Sequence, residues 1–182
     1  MTGDLLVSAE LIELGGEKCM LGLAQDITDR KFTEKRNRLF AELGRRLNTA
    51  RTARDAAKVM ADVADELFGW DACKLTLYSQ DGTPLKQVLT CDTVDNHRVE
   101  FPPDESRKHA TPLVLDVIKH GAKLILKTSA EAASGTSSFG NRTRSSASLM
   151  FAPIHHANNF TGIVTIQSYT PNAYTADDLA VF

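Results

Sequence analysis

The residues best suited to chemistry in this chain of 182 residues are its three cysteines and five histidines. Cys19, Cys73 and Cys91 lie far apart in sequence, and no Cys-x-x-Cys pair occurs. This spacing argues against a zinc site and against a disulfide framework. We interpret the three thiols as small apolar side chains in a reducing compartment, and we expect no metal site.

Motifs that would carry catalysis are absent from the sequence. It has no Gly-rich phosphate-binding loop, no Gly-x-Ser-x-Gly turn, no His-Glu-x-x-His pair and no kinase ATP-binding signature. The pair His155-His156 precedes an Asn-rich turn, and this position favours a solvated strand end. Haem ligation by one of the histidines, including His109 and His120, is the alternative. We therefore expect that the fragment itself is not an enzyme.

Composition narrows the possible partners and the location. The net charge of −2 provides no overall basic surface, so we expect no nucleic-acid partner. No apolar run approaches the roughly 18–20 residues of a membrane span. The N-terminus has no basic segment followed by an apolar core, so it does not resemble a signal peptide. These features predict a cytoplasmic chain without a membrane span.

The first element predicted from the pattern is a β-hairpin. The stretch LLVSAELIEL (5–14) partly alternates, Gly15-Gly16 is a two-residue turn signal, and KCMLGLAQDI (18–27) is a second strand. A lone hairpin buries too little surface to be stable in water. We therefore expect hairpin 5–27 to be disordered or to pack against a second chain.

A helix over residues 29–50 is predicted next, because its apolar residues recur with helical spacing. Positions 36, 40, 43, 47 and 50 follow the spacing of a coiled-coil seam. A parallel homodimer through this helix is our preferred interpretation, and an amphipathic helix packed on its own domain is the alternative. The candidate dimer residues are Leu39, Phe40, Leu43 and Leu47.

The rest of the chain predicts an α+β fold, in which helices flank an antiparallel sheet. Capping boxes at Thr52–Asp55 and Thr175–Asp178 mark two helix starts, and Pro112 and Gly121 bound a third helix. Two strands surround an Asp81-Gly82 turn, and a long polar loop over 128–146 precedes the two closing strands, 148–156 and 160–169. The last helix has barely two turns before Phe182, which suggests a fragment that ends inside an element.

The closing run LMFAPIHHANNFTGIVTIQSYTPNAYTADDLAVF resembles the end of a GAF domain, and ELFGWDACKLTLYSQDG and VIKHGAKLIL fit the same family. The opening stretch LVSAELIELGGEKCMLGLAQDITDRK resembles the last hairpin of a PAS domain, with DITDR leading from its sheet into the output helix. The resemblances imply a PAS remnant over 1–28, a connector helix over 29–50 and a GAF domain over 51–182 that is truncated in its last helix.

The GAF resemblance implies a small-molecule pocket beneath the 128–146 loop. The candidate ligand contacts are Phe139, Arg142, Arg144, Ser146, Ser148 and Thr165. The alternative is a solvated loop with no ligand. Residues 113–165 contain no Cys that could attach a bilin, and the Asn-Lys-x-x-x-Phe-x-x-x-Asp-Glu motif of cyclic-nucleotide-binding relatives is absent. The cofactor or ligand, if there is one, is therefore unknown.

Together these features predict a sensory and regulatory fragment of a multidomain signal-transduction protein. Modules of the two families in tandem usually precede a histidine kinase or a cyclic-di-nucleotide enzyme, and a sensor histidine kinase is our preferred parent. The alternatives are a structural dimerisation module without ligand and the regulatory part of a cyclic-di-nucleotide enzyme.

Overall fold

The computed structural model describes residues 3–79, 83–104, 109–128 and 145–182. The chain divides into two compact units, Met1–Arg45 and Arg46–Phe182. None of the helices in these described ranges is long and apolar enough to cross a membrane. The Asp81-Gly82 turn predicted from the sequence lies outside the described residues.

The first unit contains the predicted hairpin followed by most of a long helix. Strands β1 (Leu5–Leu14) and β2 (Glu17–Asp26) pair antiparallel, with Leu5 opposite Asp26 and Leu14 opposite Glu17. Gly15 and Gly16 form the two-residue turn with φ values of 63° and 88°, a left-handed conformation that glycine adopts without a steric penalty. Helix α1 (Thr28–Leu47) follows β2 after a single residue.

The described residues of the second unit form one six-stranded sheet and three helices. The strand order is β5-β4-β3-β8-β7-β6, and all neighbouring pairs are antiparallel. This arrangement confirms the predicted α+β class. In chain order the elements are α2 (Ala53–Phe68), β3 (Ala72–Tyr78), β4 (Pro84–Val94), β5 (His97–Glu100), α3 (Pro112–His120), β6 (Lys123–Leu126), β7 (Ser148–His156), β8 (Asn159–Ser168) and α4 (Ala176–Val181).

The helix starts predicted from the sequence are confirmed by their caps. The Thr52 side chain accepts from the backbone N–H of Asp55, whose carboxylate accepts from the backbone N–H of Thr52 in return. The same reciprocal pair joins Thr175 and Asp178 at the start of α4. These boxes satisfy backbone donors that a helix cannot satisfy itself, so the local sequence determines where each helix begins.

Strand β5 was not predicted from the sequence. A two-residue turn at Asp95 and Asn96, both with positive φ, connects it to β4. Asp and Asn tolerate this left-handed conformation better than most residues. The Asp-Asn dipeptide was therefore the available signal for this hairpin.

The central strands bury side chains on both faces of the sheet. On one face, α2 presents small residues, Ala57, Ala61 and Ala64, to a cluster that includes Cys73 and Ile166. On the other face, Val117 of α3 packs with residues of β7 and β8, namely Leu149, Phe151 and Ile163. Alternation along a strand separates these two sets, because successive side chains point to opposite faces.

Strands β8 and β3 lie in close contact at Gly162. A Cβ atom built on Gly162 would lie 2.9 Å from the carbonyl oxygen of Thr76, a distance that real Cβ atoms do not tolerate against backbone. Gly162 pairs with Leu77 in this central ladder. Glycine therefore allows the two middle strands to pair without a shift.

Gly162→Ala should destabilise the chain by roughly 1–3 kcal/mol, because the added methyl group forces one of two central strands to move. Urea denaturation followed by circular dichroism measures the change. Gly44→Ala in α1 is the matched control: a Cβ there meets nothing within 4 Å, and helix propensity predicts a gain of up to about 1 kcal/mol. Equal stability of wild type and Gly162→Ala would contradict the close approach.

Candidate functional site

The α3-facing side of the sheet carries a group of polar side chains where β4, β3 and β8 lie side by side. Strand β3 alternates between residues of the first core cluster and polar residues on the opposite face. The residues that share this polar face define what we call the polar patch: Lys74, Thr76, Gln87, Thr90, Asp92, Thr165 and Gln167.

Strand register places these side chains in adjacent rows. Lys74 lies directly opposite Thr90 on one neighbouring strand and Thr165 on the other. In the next row, Ala72 separates Asp92 from Gln167. Directly opposed side chains have Cβ atoms about 4.5–5.5 Å apart, so the side chains of each row lie next to one another.

Two hydroxyl groups of the polar patch are buried without a hydrogen-bond partner among the described residues. Thr76 and Thr90 are each 5% exposed, and neither Oγ1 atom has a hydrogen-bond partner within the described part of the chain. A buried hydroxyl left unpaired costs about 1–3 kcal/mol. Such a group in a folded protein calls for an explanation, and a bound polar molecule or an ordered water supplies one.

Other polar groups at the patch are satisfied within the chain. The Thr165 hydroxyl donates to the carbonyl oxygen of Met150 at 2.9 Å. The Tyr169 hydroxyl donates to the fully buried Asp92 carboxylate at 2.6 Å. These bonds hold the edges of the patch in place and leave the Thr76 and Thr90 hydroxyls without a partner among the described residues.

The structure brings together only part of the predicted ligand site. Ser146 and Thr165 lie at the polar patch, and the Ser146 hydroxyl donates to the Gln167 side-chain oxygen at 2.6 Å. Ser148 lies on the opposite face, where its hydroxyl donates to the carbonyl of Thr170 and accepts from the backbone N–H of Ala173. The pleat of β7 therefore points the Ser148 side chain away from the polar patch and toward residues 170–173, which precede α4. The predicted contacts outside the described residues are Phe139, Arg142 and Arg144.

Sequence reasoning missed the centre of the patch. The available signal was the alternation in ACKLTLY, where Lys74 and Thr76 interrupt an apolar strand at every second position. A strand with one face in solvent shows the same alternation, so the sequence alone did not show that Thr76 would be buried.

Cys73 and Cys91 pack in the sheet as unreactive side chains. Cys73 and Cys91 lie opposite each other on β3 and β4. Burial raises the pKa of both thiols, and the neighbouring thiol raises the pKa of Cys73 further. Since the thiolate is the reactive form, neither side chain is activated as a nucleophile. The described residues also contain no group of three or more His, Cys, Asp or Glu side chains placed to hold a metal ion.

A second functional feature is the junction between β2 and α1. The Asp26 carboxylate accepts from the backbone N–H of Thr28 at 2.9 Å, and hydrogen bonds from Thr28 lower the pKa of Asp26. The Thr28 hydroxyl accepts from the backbone N–H of Asp4 at 2.9 Å, while Lys31 pairs with the Asp4 carboxylate. The Asp26 carboxylate thus binds the first backbone N–H of α1, and the strand enters α1 after a single residue.

The candidate dimer residues of α1 differ in exposure. Leu39 is 1% exposed in the single chain, whereas Phe40 is 42% exposed. Leu43 and Leu47 are partly exposed. Leu39 therefore has no surface left for a second chain, and the candidate seam consists of Phe40, Leu43 and Leu47.

Replacing either unpaired hydroxyl by a methyl group should not destabilise the ligand-free protein. We expect Thr76→Val and Thr90→Val to leave the free energy of unfolding unchanged or to raise it by up to about 1 kcal/mol, because each removes an uncompensated polar group. Denaturant titration measures this value. Thr165→Val is the matched control and should cost about 1 kcal/mol, since its hydroxyl donates to Met150. A comparable loss in Thr76→Val would show that its hydroxyl is already paired.

Comparison with protein-family models and with curated proteins found no match to this chain. Solved structures do match. The GAF domain of a phosphoenolpyruvate-protein phosphotransferase from Coxiella burnetii is 14% identical, with a TM-score of 0.52 over 81% of this chain and 86% of that chain. The phycoerythrobilin-bound GAF domain of a cyanobacterial phytochrome is 11% identical, with a TM-score of 0.51 over 80% and 87%.

The chromophore-binding domain of an unusual bacteriophytochrome from R. palustris is also similar in fold. It is 14% identical with a TM-score of 0.51, and the match covers 96% of this chain and 64% of that chain. Identities this low carry information about architecture and not about ligands. The antiparallel sheet and its flanking helices therefore have a GAF-like fold.

Proposed function

We propose that this chain is a cytoplasmic sensory and regulatory fragment of a multidomain signal-transduction protein. The polar patch binds a small molecule, and paired α1 helices of two copies relay the signal. The observation that carries the ligand-binding part is the pair of buried, uncompensated hydroxyls of Thr76 and Thr90. The GAF-like fold of the sheet supports the same assignment, since one structure of similar fold is a phycoerythrobilin-bound GAF domain.

The junction at Asp26 supports the relay. Hydrogen bonds link Asp4, Asp26 and Thr28, so a tilt of the hairpin passes directly into the first turn of α1. We propose on this basis, and on the PAS-like sequence of the hairpin, that the first unit ends a PAS-type module. The parent protein is then a sensor histidine kinase. To act as a switch, the ligand must prefer one of two helix arrangements energetically.

A ligand-free structural module is the second candidate. It is favoured by the intramolecular hydrogen bonds of Ser146 and Thr165, which would otherwise be ligand contacts. In that case ordered water satisfies the remaining hydroxyls. The two candidates make opposite predictions for the purified chain.

Native mass spectrometry of the freshly purified full chain should show a bound small molecule, because a polar ligand would supply the hydrogen bonds that the Thr76 and Thr90 hydroxyls lack. Thr76→Val should lose most of this adduct. Thr161→Val is the control and should retain the ligand. Thr161 also lies on β8, but it is outside the polar patch and its hydroxyl donates to the Ile154 carbonyl. A clean ligand-free mass for the wild type would favour the structural module.

Leu43→Asp should convert a dimer into a monomer in sedimentation velocity, because it places a charge in the α1 seam. Ala41 is exposed and lies nearly opposite Leu43 around the helix, so Ala41→Asp is the control and should remain dimeric. If Leu43→Asp leaves the dimer unchanged, α1 does not form the dimer contact that the proposed relay requires.

A further inference from the structure

We propose that the hydrogen bond between Tyr169 and Asp92 is a latch between the polar patch and the segment that leads into α4, and that a ligand with a hydroxyl or amine donor opens it. We call this segment, residues 169–174, the α4 entry. The proposal rests on the proposed function for the existence of the ligand, and it adds how occupation of the patch changes the rest of the second unit.

Asp92 presents a carboxylate to the polar patch from within the sheet. The residue is fully buried, and it lies on the same face of β4 as Thr90, two positions further along the strand. Two residues of a strand span about 6.5–7 Å. A small molecule with a hydrogen bond at each end spans this separation between the Thr90 hydroxyl and the Asp92 carboxylate.

The charge of Asp92 restricts the chemistry of the ligand group that lies beside it. An anionic group next to a carboxylate is repelled, whereas a hydroxyl or an ammonium group donates a strong hydrogen bond to it. The ligand group at this end of the patch is therefore a donor.

A donor from the chain already occupies this position. The Tyr169 hydroxyl lies 2.6 Å from Asp92 Oδ1, and the backbone N–H of Thr93 donates to the same oxygen at 2.7 Å. A carboxylate oxygen has about two lone-pair sites, and these two bonds use both of them. A ligand donor at Asp92 Oδ1 therefore displaces the Tyr169 hydroxyl.

Tyr169 is the first residue after β8, and side chains hold the segment that it begins. The Tyr169 backbone N–H donates to Asp71 Oδ2 at 2.7 Å. Further along, the Ser148 hydroxyl donates to the carbonyl of Thr170 and accepts from the backbone N–H of Ala173. The bond from Tyr169 to Asp92 joins this set of contacts to the polar patch.

The α4 entry can open without disrupting the sheet. It lies outside the helices and strands, and residues 170–172 are exposed. Segments of this kind open locally at a lower free energy than the strands of a core. Tyr174 is buried and donates to the Gly69 carbonyl at 3.0 Å, so it anchors the far end of the α4 entry. Loss of the bond to Asp92 therefore loosens the residues between Tyr169 and this anchor.

Hydrogen exchange of the full chain, measured in peptides that cover the α4 entry, tests the latch. The freshly purified wild type with its ligand should exchange rapidly there. Thr90→Val lacks a ligand contact, so its latch is closed and exchange should be at least about tenfold slower, as expected for a hydrogen bond to a charged group. Tyr169→Phe cannot close the latch, so this variant and its combination with Thr90→Val should both exchange as fast as the wild type.

The double variant distinguishes coupling from a merely structural bond. If the Tyr169 hydroxyl only stabilised the α4 entry, Tyr169→Phe would speed exchange by the same factor in the wild type and in Thr90→Val. Thr161→Val is the matched control, because its hydroxyl donates to the Ile154 carbonyl on β7 and lies outside the polar patch. It should leave exchange at the α4 entry at the wild-type rate.

Native mass spectrometry of the same samples separates two ways in which the proposal can fail. If the wild type carries an adduct that Thr90→Val loses, and the two exchange equally at the α4 entry, the latch is overturned while the proposed function stands. If the wild type carries no adduct, the proposed function fails and the latch fails with it.

Discussion

The pairing of β3 with β8 is the contact on which the second unit depends. It joins residues 72–77 to residues 162–167, which are more than eighty positions apart in the chain. Closing a loop of that length costs entropy before any contact is gained, so the pairing must be favourable along its whole ladder. Gly162 makes this possible because its missing side chain lets Thr76 approach. Both outer halves of the sheet are built on this central pair.

The central strands β3 and β8 are covered on both faces of the sheet, and the two faces bury different kinds of side chain. On the α2 side, small alanines allow the helix to approach the apolar residues of β3 and β8. On the α3 side, strands β3, β4 and β8 bury Thr76, Thr90 and Thr165 among polar neighbours. Only Thr165 of these three is satisfied within the described chain. Retaining uncompensated hydroxyls lowers the stability of the fold, because a buried hydroxyl without a partner has lost its hydrogen bonds to water.

The first unit differs from the second because the contacts that hold it together are local. The hairpin and α1 are joined by hydrogen bonds among Asp4, Asp26 and Thr28, and the large apolar side chains on the hairpin remain exposed in the single chain. These hydrogen bonds fix the direction in which the chain leaves β2 and enters α1.

The sequence by itself determined the features that depend on residues within a few positions of one another. Both capping boxes, the Gly15-Gly16 turn and the α+β order could be read from it, because a cap or a tight turn needs only three or four adjacent residues. Of the residues that the sequence predicts as ligand contacts, Ser146 and Thr165 lie at the polar patch, whereas Lys74, Thr76 and Thr90 were not predicted. Only the tertiary structure decided that Ser148 points away from the polar patch and that two threonine hydroxyls are buried without a partner among the described residues. Whether a polar side chain is satisfied depends on strands distant in sequence, and alternation within one strand does not contain that information.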